Sequence, residues 1–199
     1  MDVGHYRAEP GVLSASGIPE FEFNLKLARE TRSALEAEGI PVRLVNEKGN
    51  LVFLNHHTRA AAGADLFVSI HHDSMQERLL LTKRDDLSGF SLFVSRKNPE
   101  PEKSLACASA VGAELRAAGF KPSRYHADPV LGENRPFADE LNGVHYYDNL
   151  AVGKTASMPS LLVEAGVIVN RREEARLLEP ETHLRIARAI ARGIRRCLP

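Results

Sequence analysis

An apolar strand that ends in polar side chains restricts the fold of this chain more than any other feature. The stretch ADLFVSIHHDS runs from Ala64 to Ser74, and Leu66 to Ile70 have the composition of a buried strand. Two histidines, an aspartate and a serine follow directly. Buried strands of this kind are typical of parallel sheets, whose carboxyl ends form ligand sites. We therefore expect an α/β chain with its chemistry at this strand end.

Helical and extended patterns alternate along the chain. Phe23, Leu27, Thr31 and Leu35 recur every four residues and predict an amphipathic helix that ends at Gly39. Similar patterns predict strands at 40–45, 66–70, 90–95 and 160–164, helices at 51–61, 98–119, 171–178 and 181–197, and a surface loop at 121–149. Strands that alternate with helices predict a single-domain α/β fold over residues 1–199, with a twisted, mainly parallel sheet covered by helices on both faces.

Composition and charge exclude several classes of protein. The chain has 199 residues, 43% of them hydrophobic, and its 26 basic and 26 acidic side chains cancel. It is therefore expected to be globular, without nucleic acid or an anionic membrane as partner. No apolar run approaches the roughly 18 residues that span a bilayer. Cys107 and Cys197 match no zinc spacing, so they are either free thiols or one bridge.

The chain begins with MDVGH, which reads as the last residues of a strand. A truncated first strand, or a mature form that has lost its export signal, would produce such a beginning. The lack of a recognisable signal is therefore only weak evidence for a cytosolic location.

Three predicted strands end in residues that can carry chemistry, namely His5, His71 and Glu164, and Glu20 precedes the first helix. Two imidazoles and one carboxylate form a known hydrolytic zinc site with a fourth position open to water. A second carboxylate outside the metal shell can act as general base. Each residue alone also has a plainer reading, such as a turn histidine or a salt-bridged core glutamate.

The other six histidines lack such a setting. His72 should point to the opposite face of the strand from His71, because neighbouring strand side chains alternate. We expect surface or hydrogen-bonded roles for the whole set, which comprises His56, His57, His72, His126, His145 and His183.

Four motifs together resemble a known family. DVGH, GIPEFEFNLKLA, ADLFVSIHHDS and MPSLLVEAGVIVNRREEARLL are similar to the successive signatures of the zinc-dependent N-acetylmuramoyl-L-alanine amidases. These bacterial cell-wall hydrolases have an α/β catalytic domain. The resemblance extends from Asp2 to Leu178, and its last motif is the most specific.

The resemblance implies one Zn²⁺ per chain, held by His5, Glu20 and His71, with Glu164 as the catalytic glutamate. Glu20 is preferred to Glu22 because the family's ligand lies four residues before an Asn-Leu pair, here Asn24-Leu25.

Other positions also follow from the resemblance. Asp73 and Ser74 would support the ligand imidazole, and Lys154 falls where the family commonly has an arginine. Val3 and Tyr6 replace the usual proline and glycine around the first ligand, and Ala-Gly-Val follows Glu164 in place of Leu-Gly-Phe. These departures affect the cleft wall and leave the ligand atoms in place.

The implied reaction is hydrolysis of the amide between N-acetylmuramic acid and L-alanine, in peptidoglycan or a muropeptide, outside the cytoplasm. Whether an activator protein is needed stays open. Two alternatives remain. One is a catalytically silent peptidoglycan-binding module on the same fold. The other is a non-haem iron enzyme that uses His71-x-Asp73, a motif that supplies two ligands of a facial triad.

Overall fold

The amphipathic pattern of the first helix produces α1, which spans Glu20–Ala37. The computed structural model describes residues 1–198. Phe23, Leu27 and Leu35 are buried along one side of α1, as the pattern predicts. The helix begins earlier than its apolar pattern, so Glu20, which we expected just before the helix, is its first residue.

Six strands form one sheet in the order β1-β2-β6-β3-β5-β4. They are β1 (Asp2–Val3), β2 (Phe67–Asp73), β3 (Ser91–Val94), β4 (Phe137–Asp139), β5 (Val144–Tyr146) and β6 (Ser160–Val167). β1, β2 and β6 are mutually parallel, and β3 is parallel to β5. β3 runs antiparallel to β6, and β4 antiparallel to β5. The predicted α/β fold with a mainly parallel sheet is confirmed.

Helices cover both faces of the sheet. Besides α1 they are α2 (Leu54–Ala60), α3 (Glu77–Leu80), α4 (Pro101–Ala117), α5 (Ala151–Thr155), α6 (Arg171–Leu177) and α7 (Pro180–Cys197). α1, α4 and α7 pack on the face that carries Ile70 and Val163. Residues of α5 and the end of α2 pack against Phe67 and Leu162 on the opposite face of the sheet. We call this opposite face the α2 face. None of the described helices is long and apolar enough to cross a membrane.

Strand β2 is longer than predicted. It continues through both histidines to Asp73, because His71 pairs with Glu164 and Asp73 with Val167 on the neighbouring β6. The polar residues therefore lie within the sheet rather than beyond the strand end. The pairing places His71 and Glu164 side by side near the carboxyl ends of two central parallel strands.

Two predictions about where strands lie were wrong, one for a predicted strand and one for a predicted loop. Residues 40–45 form no regular strand, and only Val45 bridges to β1, at Asp2. Pro41 lacks the N–H needed for a ladder, and β1 offers only two residues for pairing. Residues 121–149, which we expected to be a surface loop, contain β4, β5 and a 3₁₀ turn at Tyr125–Ala127. Strands of three residues are too short to show a period in the sequence.

The structure pairs the two cysteines, which the sequence left open. Cys107 of α4 and Cys197 at the end of α7 form a disulfide with a Cα–Cα distance of 5.1 Å. The bridge joins residues 90 positions apart and ties the last helix to its neighbour.

Breaking this disulfide is expected to lower the free energy of unfolding by about 2–5 kcal/mol, because the bridge restricts a long loop in the unfolded chain. Urea unfolding with and without reductant measures the difference. The control is the double variant Cys107→Ser/Cys197→Ser, whose stability should not respond to reductant. A wild-type unfolding curve unchanged by full reduction would contradict the prediction.

Candidate active site and metal centre

The loop after β1 brings His5 to the carboxyl end of the sheet. Gly4 N–H donates to the Ile70 carbonyl at 3.0 Å, which continues the pairing with β2 for one more residue. A Cβ on Gly4 would lie 2.2 Å from Nε2 of His71, so only glycine allows this approach. His5 then turns with a φ of 64°.

Glu20 lies between the two histidines and is 4% exposed. Its Oε2 lies 2.9 Å from His5 Nε2, and its Oε1 lies 3.1 Å from His71 Nδ1. Burial alone would raise the pKa of this carboxyl, but the bonds to His5 and His71 hold it well below its usual range. Asn24 also donates to Oε1, at 3.1 Å. Glu20 is thus an ionised carboxylate fixed between two imidazoles.

His71 and His72 point to opposite faces of β2, as predicted. His71 lies on the α2 face and meets Glu20. His72 points toward α1, where its Nδ1 lies 2.8 Å from Asn24 Oδ1. Burial lowers the pKa of His72 to about 3. His72 is therefore a neutral core histidine, in line with its expected hydrogen-bonded role.

The ligand-type atoms of His5, Glu20 and His71 all lie within 4.8 Å of one another. Two imidazole nitrogens and one carboxylate oxygen suit Zn²⁺, and catalytic zinc sites keep a fourth position for water or substrate. The His71 ring packs against the backbone of Gly4 and presents Nδ1 to the cluster, 3.1 Å from Glu20 Oε1. The donor set fits one divalent transition metal.

Glu164 lies beside this cluster without joining it. It is the register partner of His71, and the alternation along β6 places both side chains on the α2 face. Its Oε2 is enclosed and has no hydrogen-bond partner among residues 1–198. Burial, followed by the charges of Asp73 and Glu20, raises the pKa of Glu164 well above its usual value. A carboxyl in this state can accept and return a proton.

The structure reveals a buried network that sequence reasoning missed. His126 Nε2 lies 2.7 Å from Asp73 Oδ2, and His126 Nδ1 lies 2.9 Å from Glu133 Oε2. Burial alone would lower the pKa of His126, but the two carboxylates raise it to about 9. The network joins the end of β2 to the segment between α4 and β4. No local motif marks His126, since its partner Asp73 lies 53 residues away in sequence.

The residues predicted to support the cluster have other contacts. Asp73 engages His126 and the Ser74 N–H, and Ser74 Oγ donates to the Met75 carbonyl. Lys154 is exposed on α5, which precedes β6. Among the described hydrogen bonds and ion pairs, none links these side chains to His71.

The comparisons with known proteins identify the family. The profile of the family described as N-acetylmuramoyl-L-alanine amidase matches residues 1–196. This chain belongs to that family. The resemblance in its four motifs is thereby confirmed.

Individual amidases agree with the assignment. The amidase AmiC of Neisseria meningitidis serogroup B is 29% identical over 226 residues, which cover 98% of this chain and 51% of AmiC. This chain thus spans about half the length of that curated relative. The amidase Ami1 of Mycobacterium smegmatis superposes with a TM-score of 0.80 at 23% identity, covering 98% of this chain and 94% of Ami1. The amidase CwlD of Clostridioides difficile, solved in complex with the GerS lipoprotein, gives a TM-score of 0.72 at 22% identity, covering 98% and 95%. The two structures show a shared fold.

Proposed function

We propose that residues 1–199 are one catalytic domain that hydrolyses the amide between N-acetylmuramic acid and L-alanine of peptidoglycan or muropeptides, with one Zn²⁺ per chain. The observation that carries the proposal is the His5–Glu20–His71 cluster with the unpartnered Glu164 oxygen beside it, in a member of this family. His71 and the proposed base Glu164 are thus register partners on neighbouring strands, and Glu20 contacts both histidines.

In this proposal His5, Glu20 and His71 hold the metal. When bound, zinc supplies a Lewis acid for the scissile carbonyl and lowers the pKa of water toward roughly 7. Glu20 contributes negative charge to the site, and its contacts with both imidazoles keep the three ligand groups in one orientation. Gly4 leaves room for the ring of His71.

Glu164 is the general base and then the general acid. Its carboxylate takes a proton from the attacking water and returns it to the amine nitrogen of the departing L-alanine. An amide nitrogen leaves poorly unless it is protonated, so one group that does both steps is sufficient.

Two alternatives from the sequence are less well supported. Asp73, which an iron site would need beside His71, is held by His126 at 2.7 Å, while Glu20 meets His71 at 3.1 Å. A silent binding module would have no need for Glu164, because an unpaired carboxyl in this position is destabilising without a function.

We further propose that the chain works outside the cytoplasm. Its substrate lies there, and disulfides such as Cys107–Cys197 persist in oxidising compartments. A partner protein also belongs to the proposal, since CwlD is in complex with a lipoprotein. We place the contact with such a partner at two segments beside the cleft. They are residues 76–88, which follow β2, and residues 121–149, which follow α4.

Metal removal tests the proposal. The purified chain is expected to contain one zinc, to release products from muropeptides, and to lose both zinc and activity on chelation. Added Zn²⁺ should restore activity. Mg²⁺, which prefers oxygen ligands, is the control and should not restore it. Full activity from protein without stoichiometric metal would exclude the zinc mechanism, and zinc-loaded protein that binds peptidoglycan but releases nothing would support the silent module.

A further inference from the structure

The backbone of His5 has a conformation that side chains other than glycine rarely adopt. Its φ of 64° lies in the left-handed region, which is unfavourable for a residue that has a Cβ. The direction of the imidazole follows from this backbone, so a ligand at this position depends on whatever holds the turn. Neighbouring contacts must therefore stabilise it.

The side-chain amide of Asn46 makes these contacts. Its Nδ2 donates to the carbonyls of Val3 at 2.9 Å and His5 at 2.5 Å, and its Oδ1 accepts from the Leu51 N–H at 3.0 Å. Asn46 is 6% exposed and itself has a φ of 59°. Both of its N–H groups are therefore directed at the two peptide carbonyls that flank Gly4.

We propose that Asn46 is a positioning residue for the metal centre. It clamps the turn from Val3 to His5, so that His5 Nε2 is directed at the Glu20 carboxylate. Without the two N–H donors, the His5 peptide can relax to a negative φ and carry the imidazole away from Glu20 and His71. The inference rests on the proposed metal centre, and nothing in it requires Asn46 to touch the metal or the substrate.

The tests are Asn46→Ala and Asn46→Asp. Aspartate tolerates the left-handed backbone and keeps an acceptor for Leu51, but it cannot donate to the carbonyls. Asn98→Ala is the matched control. Asn98 is 4% exposed and donates to Gly153 at 2.8 Å and Met158 at 3.1 Å.

Zinc affinity, measured by competition with a chromogenic chelator, should fall about 10- to 100-fold in both Asn46 variants, the usual effect of losing a group that orients a ligand. Asn98→Ala should lose stability but bind zinc within about twofold of wild type, since its partners hold no ligand. Cobalt(II) gives a second readout. Its visible spectrum should change in the Asn46 variants and stay the same in Asn98→Ala, because it reports ligand geometry.

The outcomes separate this inference from the proposed function. Wild-type protein that binds no zinc would overturn the metal centre and this inference with it. If wild-type protein binds zinc, and Asn46→Asp and Asn98→Ala both bind it as tightly as wild type, the role of Asn46 alone is overturned. If Asn46→Ala does not fold, Asn46→Asp decides the result.

Discussion

Replacing Glu164 by glutamine is expected to lower turnover by about 10²–10⁴-fold, the usual contribution of a positioned acid–base group. The substitution preserves the size of the side chain and leaves His5, Glu20 and His71 unchanged. Zinc content and peptidoglycan binding should therefore stay at the wild-type level. The melting temperature should stay the same or rise, because the enclosed Oε2 has no partner among the described residues and glutamine removes a buried ionisable group.

Three roles for Glu164 predict different results in this experiment. A general base predicts lost turnover with normal zinc and normal melting. A fourth zinc ligand predicts weaker metal affinity, and a purely structural residue predicts lower stability with activity that follows the folded fraction. Measuring zinc, melting and rate on one preparation distinguishes them. A rate near wild type with normal zinc would reject Glu164 as the base, and Asp73 would be tested next.

Replacing His71 by alanine is expected to abolish stoichiometric zinc binding and, with it, activity. His71 supplies one of the three ligand-type groups, and only Glu20 and His5 would remain. Two protein ligands are fewer than the three that catalytic zinc sites use. Zinc titration of the purified variant measures the loss directly.

The neighbouring variant His72→Ala is the matched control. It should keep most zinc binding, because His72 points toward α1 and contacts Asn24 instead of the cluster. Its free energy of unfolding should fall by about 1–3 kcal/mol, since Asn24 Oδ1 loses a buried partner. If His72→Ala lost zinc and His71→Ala kept it, the assignment of ligands on β2 would be wrong.

The sequence predicts the site well where a single strand carries both burial and chemistry. Leu66 to Ile70 and the stretch SLLVE each have an apolar run before a titratable residue, and parallel pairing of β2 with β6 brings His71 beside Glu164. That pairing is a general property of parallel sheets, so the neighbourhood of these two residues could be inferred. The metal role of the cluster and the catalytic role of Glu164 stay predictions.

Features that depend on long-range packing could not be predicted. His126 meets Asp73 from a segment that shows no period, and Asn46 reaches Val3 across 43 positions. The antiparallel orientation of β3 against β6 could not be predicted, because the mainly apolar composition of both strands suits either orientation. At residues 40–45 the sequence predicts a strand that the structure does not form. Their composition favours a strand, but Pro41 and the two-residue β1 prevent a ladder.

The bond that is cleaved tests the proposed function most directly. Zinc-loaded protein is incubated with a defined muropeptide, and the products are identified by mass spectrometry. The account predicts two products, a stem peptide with a free amino group on L-alanine and a glycan that keeps the lactyl carboxylate, whose masses together exceed the substrate by one water. Cleavage between sugars or within the peptide, or an intact muropeptide after incubation with folded, zinc-loaded protein, would contradict it.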